Sequence, residues 1–116
     1  MSDNLEHINV SDEVIAICAV NATLKTEGVV GMAGGISNTI SKNLLGKEPL
    51  SKGVKVYQDE NDVKIDVHII IEYGYKIPQV AWDIQENVKK EVNSITNMNV
   101  VAVNIHVQGV SKNDEK

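Results

Sequence analysis

The sequence predicts an α+β fold: a two-layer sandwich with two helices packed on one face of a small mixed β-sheet. Residues 63–73 alternate apolar and polar side chains with the period of a half-buried strand. Residues 12–27 and 78–96 carry the apolar spacing of helices. The second helix lies between two alternating strands, and such a crossover places its two strands parallel in one sheet.

The predicted order is a short strand, a helix, a strand, a hairpin, a helix and a strand. The optional short strand covers residues 7–10. Ser11 is a helix cap followed by two acidic residues, and Gly28 ends a helix that runs from Asp12 to about Glu27. The side chains expected to face the core are Val14, Ile17, Cys18 and Leu24, with Ile15, Val20 and Ala22 beside them.

The middle of the chain carries weaker signals. Residues 29–32 form a short predicted strand, and residues 36–45 a weak helix with Ile36, Ile40 and Leu44 on one side. Gly, Pro and Ser mark residues 46–53 as a loop. We therefore expect residues 31–53 to be a mobile insertion within one domain, residues 1–110.

A hairpin follows, formed by residues 54–57 and 63–73. Closing it at Glu60 and Asn61 pairs Val56 with Ile65 and Lys55 with Asp66. Val54 then pairs with Val67. Apolar pairs on one side and opposite charges on the other favour this register over a slip by one residue.

The C-terminal part contains the second helix and the last strand. Pro78 suits a first helical turn, and Asn97 ends the helix. The predicted inward stripe is Ala81, Ile84, Val88, Val92 and Ile95. Residues 101–108 alternate as a strand parallel to residues 63–73, and residues 111–116 are an expected disordered polar tail.

Composition limits the classes of function. The 116 residues carry a formal charge of −5, and all 11 basic residues are lysines. A negative chain without arginine does not suit nucleic-acid phosphates. We expect no secretory signal and no membrane span, because the N-terminus is acidic and no apolar run approaches about 20 residues. Cys18 is the single cysteine, so no internal disulfide forms.

The polar sides of two predicted strands form a candidate interaction face, because both point away from the helices. Its residues are Lys64, Asp66, His68, Glu72, Asn104, His106 and Gln108, with Trp82 on the flank of the second helix as a further contact or as cover for the core rim. The two histidines and two acids could be drawn as a divalent metal site. No two ligands are closely spaced, so we favour ordinary polar residues and expect no metal or cofactor.

Catalytic motifs are not apparent. Cys18 has no histidine or acid at a neighbouring helical position, which is typical of a small buried side chain. The GxxG patterns at 28–31 and 31–34 match the loop of KH RNA-binding domains. Both lack a basic residue, and the first adjoins a strand rather than joining two helices. We therefore expect a protein without enzymatic activity.

Several short segments together resemble the alkaline shock protein family of Gram-positive bacteria, over almost the whole chain from Ile8 to Val110. They are Ser11-Asp12-Glu13-Val14-Ile15-Ala16, Glu27-Gly28-Val29-Val30-Gly31-Met32, Gly53-Val54-Lys55-Val56, Glu72-Tyr73-Gly74, Ile77-Pro78, Ile84-Gln85-Glu86-Asn87-Val88 and Val103-Asn104-Ile105-His106-Val107-Gln108-Gly109-Val110.

The resemblance implies a cytoplasmic scaffold or adaptor in envelope stress and homeostasis. Some family members are held at the inner membrane face by a separate membrane-anchoring protein and form polymers. It implies no catalytic residue and no cofactor. Two alternatives remain open: a KH-like nucleic-acid or small-ligand binding module, and an accessory protein of fatty-acid or lipid metabolism, since some members are encoded beside fatty-acid kinase subunits.

Overall fold

The computed structural model describes residues 8–34 and 52–112, and it confirms the α+β fold with both helices on one face of a mixed sheet. The elements are α1 (Asp12–Leu24), β1 (Val29–Met32), β2 (Val54–Asp59), β3 (Asp62–Glu72), α2 (Ile77–Thr96) and β4 (Asn99–Ser111). The predicted strand at 7–10 is wrong, since residues 8–10 belong to no strand. The predicted weak helix at 36–45 lies outside the described residues, as do most of the loop at 46–53 and the end of the tail.

The sheet is organised around β3. β2 pairs antiparallel with its first half and β1 antiparallel with its second half, while β4 runs parallel to it along its whole length. Because β4 occupies one edge, β1 and β2 share the other. His68 lies where they meet: its N–H donates to the Gly53 carbonyl at 2.8 Å, and its C=O accepts from Ala33 N–H at 2.8 Å.

The hairpin register is confirmed. Val54 pairs with Val67, Lys55 with Asp66 and Val56 with Ile65, as the alternation predicts. The turn closes at Glu60, which adopts a left-handed conformation with φ 59°. Local patterning therefore fixes which side of β3 faces the core.

The core lies between the sheet and the two helices. Five β3 side chains are fully buried, and Val103 of β4 packs beside them. α2 adds four residues spaced one turn apart, and α1 adds mainly small ones. The main contributors are Val63, Ile65, Val67, Ile69 and Ile71 from β3, Val80, Ile84, Val88 and Val92 from α2, and Ile15, Cys18, Ala19 and Ala22 from α1.

α1 begins as predicted, with the Ser11 hydroxyl accepting from Val14 N–H at 3.2 Å, but the predicted inward stripe is wrong in part. Val14 is 44% exposed and Leu24 49% exposed. The helix is apolar around most of its circumference, so spacing alone does not select a face. Small side chains at Cys18, Ala19 and Ala22 face inward instead, which suits the close contact between α1 and α2.

α2 and β4 also depart from the predicted burial. α2 ends at Asn97, with φ 65°, as expected. Val80 rather than Ala81 begins its buried stripe, and Ile95 is 60% exposed because it lies at the end of the sandwich. β4 carries one extra residue at Val101 and another at Gln108, where its register with β3 shifts. These two bulges reset the alternation of β4.

Candidate interaction face

The predicted polar residues of β3 and β4 do lie together, on the side of the sheet opposite the helices. We call this surface the open face; it comprises Lys64, Asp66, His68 and Glu72 from β3, Asn104 and His106 from β4, and Lys55 from β2. The parallel register places Asp66 beside Asn104 and His68 beside His106. In-register pairing of two alternating strands brings these side chains into rows, because side chains on one face repeat every second residue.

Asp66 is the centre of the open face. Its carboxylate accepts a hydrogen bond from the Asn104 amide at 2.8 Å, and the same Oδ1 lies 3.9 Å from His106 Nε2. On the other side Lys55 is its cross-strand partner. Asp66 therefore has polar neighbours on both adjacent strands, and its side chain is only 22% exposed.

His68 and His106 form a stacked pair across β3 and β4. Their ring centroids are 4.5 Å apart and their planes differ by 13°. Burial lowers the pKa of His68, and the neighbouring His106 and Lys55 lower it further, against the opposing effect of Asp66. The neutral form of His68 is therefore favoured in the folded chain.

The stacked histidines do not form a metal centre with their neighbours. Across residues 8–34 and 52–112, no three or more His, Cys, Asp or Glu side chains are placed to hold one ion. The rings face each other nearly in parallel, so their nitrogens do not converge on a common point.

Two predicted site residues lie elsewhere. Trp82 is on α2, in the helical layer behind the open face, and is 58% exposed. Gln108 occupies the second bulge of β4.

The GxxG pattern at 28–31 spans the turn before β1 and the strand itself, so it does not join two helices. Cys18 is buried, and this burial raises the pKa of its thiol.

Two surface features were missed from the sequence. The first is the outer edge of β4, the edge that faces away from β3. The sequence did indicate this edge, because β4 contains none of the lysines, acidic residues or prolines that usually protect an edge strand from pairing. The second is a groove of about 680 Å³ beside the hairpin turn, lined in part by Ile8, Val14 and Ile95. These side chains come from three separate parts of the chain, so local patterning does not bring them together.

No helix in the described part of the chain is both long and apolar enough to cross a membrane.

Comparison with known proteins identifies the family. The model of the alkaline shock protein 23 family, described by a cell envelope-related function, matches residues 1–112. The chain is 44% identical over 106 residues to the Bacillus subtilis protein YloU, covering 89% of this chain and 87% of YloU. It is 27% identical over 104 residues to a Streptococcus pyogenes stress response regulator gls24 homolog, covering 90% of this chain and 58% of that protein.

Among solved structures, the copper form of MamM CTD superposes with a TM-score of 0.52 at 15% identity, covering 90% of this chain and 91% of that one. Identity at this level shows a shared fold and nothing about ligands. The family match, together with the relatives in Bacillus and Streptococcus, carries the assignment: the chain belongs to the alkaline shock protein 23 family.

Proposed function

We propose that this chain is a non-enzymatic scaffold or adaptor of the cell-envelope stress response, acting through protein–protein contacts at its open face. The family has a cell envelope-related function, and one group of relatives is named as stress response regulators. The observation that carries the proposal is the open face itself. Both helices pack against the other side of the sheet, and no helix of the described residues lies over the row from Lys64 to Glu72.

The chemistry of the open face suits a protein partner. Its polar groups are partly satisfied by one another, as in the Asn104–Asp66 hydrogen bond, and its histidines are stacked. An uncovered sheet face offers a broad contact area with charges of both signs rather than an enclosed pocket for a small ligand. Lys55 and Lys64 provide positive charge near Asp66, and Glu72 lies at the other end of the same row, so a partner with a mixed-charge surface fits best.

Family resemblance and charge together support a proposal for the location of the protein. A chain of net charge −5 is repelled by anionic lipid headgroups and by nucleic acid. Because the resemblance implies a separate anchoring protein in some family members, we infer a cytoplasmic protein that reaches the inner membrane face through such an anchor. A salt-dependent interaction with RNA would instead favour the KH-like alternative.

The test uses charge reversal on the open face. Asp66→Lys places three positive side chains together and removes the acceptor for Asn104, whereas Glu86→Lys makes the same change on the exposed side of α2. We expect Asp66→Lys to abolish recovery of the chain with cross-linked membranes from stressed cells, and Glu86→Lys to leave it unchanged. Circular dichroism spectra of both variants check that each one folds. Equal recovery of both variants would contradict an adaptor role for the open face.

A further inference from the structure

We propose that two copies of this chain pair through the outer edges of their β4 strands, antiparallel and centred on Ile105. This proposal rests on the proposed scaffold function. It specifies one contact in such a scaffold, the contact between two copies of the chain. It uses a surface distinct from the open face, which stays available to a different partner.

Hydrogen bonding identifies the backbone groups at this edge. His68 directs both its N–H and its C=O toward the β1 and β2 side. Since successive strand residues alternate, Ile65, Val67 and Ile69 direct theirs toward β4. In a parallel pair, one residue turns both groups toward its neighbour and the opposite residue turns both away. The residues opposite these three are Val103, Ile105 and Val107, so their backbone groups point outward.

An independent contact agrees with this assignment. The Gln85 side chain of α2 donates from Nε2 to the Val103 carbonyl at 3.0 Å, which requires that this carbonyl face away from β3. Within residues 8–34 and 52–112, no other group is hydrogen-bonded to this edge. The N–H and C=O groups of Ile105 and Val107 therefore have no protein partner among the described residues.

Natural edge strands are usually protected by charge, proline or bulges. β4 has no charged residue other than a protonatable histidine, and its bulges lie at Val101 and Gln108, outside the regular stretch 102–107. The bulges thus limit pairing to this stretch without blocking it. A defined short stretch also favours a single register.

A second copy of β4 fits this edge better than a strand of another pattern. The partner strand must place apolar side chains on the helix side and uncharged polar ones on the open-face side. β4 itself has this pattern. Two-fold pairing centred on Ile105 sets Ile105 opposite its own copy, Val103 opposite Val107, and Asn104 opposite His106. In this arrangement the Val107 N–H of the copy takes the place of Gln85 Nε2 at the Val103 carbonyl, or shares that carbonyl with it through the second lone pair. No carboxylate or lysine of β4 meets another, and the two-fold symmetry closes the assembly as a dimer.

The helix side supplies further apolar cover. Ile105 and Val107 are partly buried against the core and would lose their remaining exposure on pairing. Trp82 lies three residues before Gln85 on α2, on the flank that reaches β4, and its ring is 58% exposed. Its position suits contact with the helix of the second copy.

Amide hydrogen exchange of the purified chain tests the proposal without any substitution. Ile105 and Val107 N–H groups should exchange quickly in dilute protein and become protected as the concentration rises toward about millimolar. Asn104 and His106 point toward β3, so they should stay protected throughout and serve as internal controls. Light scattering should show twice the mass of one chain, 12.7 kDa, over the same range.

Cross-linking tests the register. In a Cys18→Ala background, Ile105→Cys places two thiols opposite each other at a Cα separation of about 5.5 Å, which suits a disulfide. Tyr57→Cys on β2 is the matched control, since Tyr57 is 50% exposed on the opposite edge strand. We expect a covalent dimer from Ile105→Cys alone.

A constant mass of one chain at all concentrations would overturn the proposal and leave the edge to a strand of another protein. Exchange at Ile105 and Val107 that does not change as a dimer forms would also overturn it. These results are independent of membrane recovery, so a failure of the adaptor function remains distinguishable.

Discussion

Three glycines separate the effect of backbone strain from that of packing. Gly28 is buried between α1 and β1 with φ +98°, and an added Cβ would lie 2.9 Å from Tyr75 Cδ2 and 2.9 Å from Val80 Cγ2. Gly74 has nearly the same backbone, φ +104°, but nothing within 4 Å. Gly31 has ordinary φ and open space. Alanine at Gly28 therefore tests backbone strain and packing together, alanine at Gly74 tests backbone strain alone, and alanine at Gly31 tests neither.

The expected magnitudes follow from these surroundings. A left-handed conformation costs a residue with a Cβ about 1–2 kcal/mol, and restriction of the unfolded chain returns about 0.4–1 kcal/mol. Gly74→Ala should therefore destabilise by about 1 kcal/mol. Gly28→Ala adds overpacking of about 1–3 kcal/mol, because Val80 is buried and cannot move away as the Tyr75 ring can. Its total loss should be about 2–4 kcal/mol, whereas Gly31→Ala should stabilise slightly.

Urea unfolding followed by circular dichroism measures all three free energies on one scale. The order Gly28→Ala, Gly74→Ala, Gly31→Ala from most to least destabilising is the expected result. Equal losses for Gly28→Ala and Gly74→Ala would refute the packing argument. A loss of more than about 2 kcal/mol at Gly31 would refute the claim that space and backbone conformation decide the outcome.

Three further predictions concern stability and reactivity. The pKa of His68 is lowered in the folded chain, so the unfolded chain takes up the proton first as pH falls. The contribution of His68 to the free energy of unfolding should therefore be complete above pH 6.5 and decline as the pH drops through 6.5. His68→Gln should flatten this decline in urea titrations at several pH values. Ile84→Ala should lower the free energy of unfolding by about 2–5 kcal/mol because Ile84 is fully buried. Trp82 is exposed, so an equally large loss in Trp82→Ala would contradict its position. Cys18 should react slowly with a thiol reagent in native protein and quickly in urea, since burial raises its pKa; equal rates would show that the thiol is accessible.

The hairpin was predictable because its signals are local. Lys55 and Asp66 are only a few residues from the turn, and a one-residue slip would turn the apolar residues of one strand outward. The parallel placement of β4 also followed from sequence, because a strand-helix-strand unit has one favoured handedness. The pairing of His68 with His106 then depends on register alone, and the rows of the open face follow from it.

Burial of individual side chains was less predictable. Val14, Leu24 and Ile95 are as apolar as their buried neighbours, and their exposure depends on which face of α1 turns inward and on how far α2 reaches along the sandwich. The bulge at Val101 turns an apparently inward valine outward, to 51% exposure. The position of such a bulge cannot be predicted from a run of valines in the sequence. The outer edge of β4, which pairs with no other described strand, was missed for a related reason, since the strand order must be known before an edge can be identified.

The meeting point of β1 and β2 on β3 has a consequence for how the protein tolerates changes in length. Gly34, which follows β1, and Gly53, which precedes β2, lie side by side: a Cβ on Gly34 would lie only 3.0 Å from Gly53 Cα. Neither short strand pairs with the other, so each ladder is anchored on β3 alone. Because β1 and β2 each pair with β3, we expect extra residues inserted between these two glycines to leave the registers of the described strands intact. For a flexible connection, doubling the length would cost only about 0.6 kcal/mol in closure entropy. This position is therefore where a domain or a reporter sequence could be grafted with the least disturbance to the sheet.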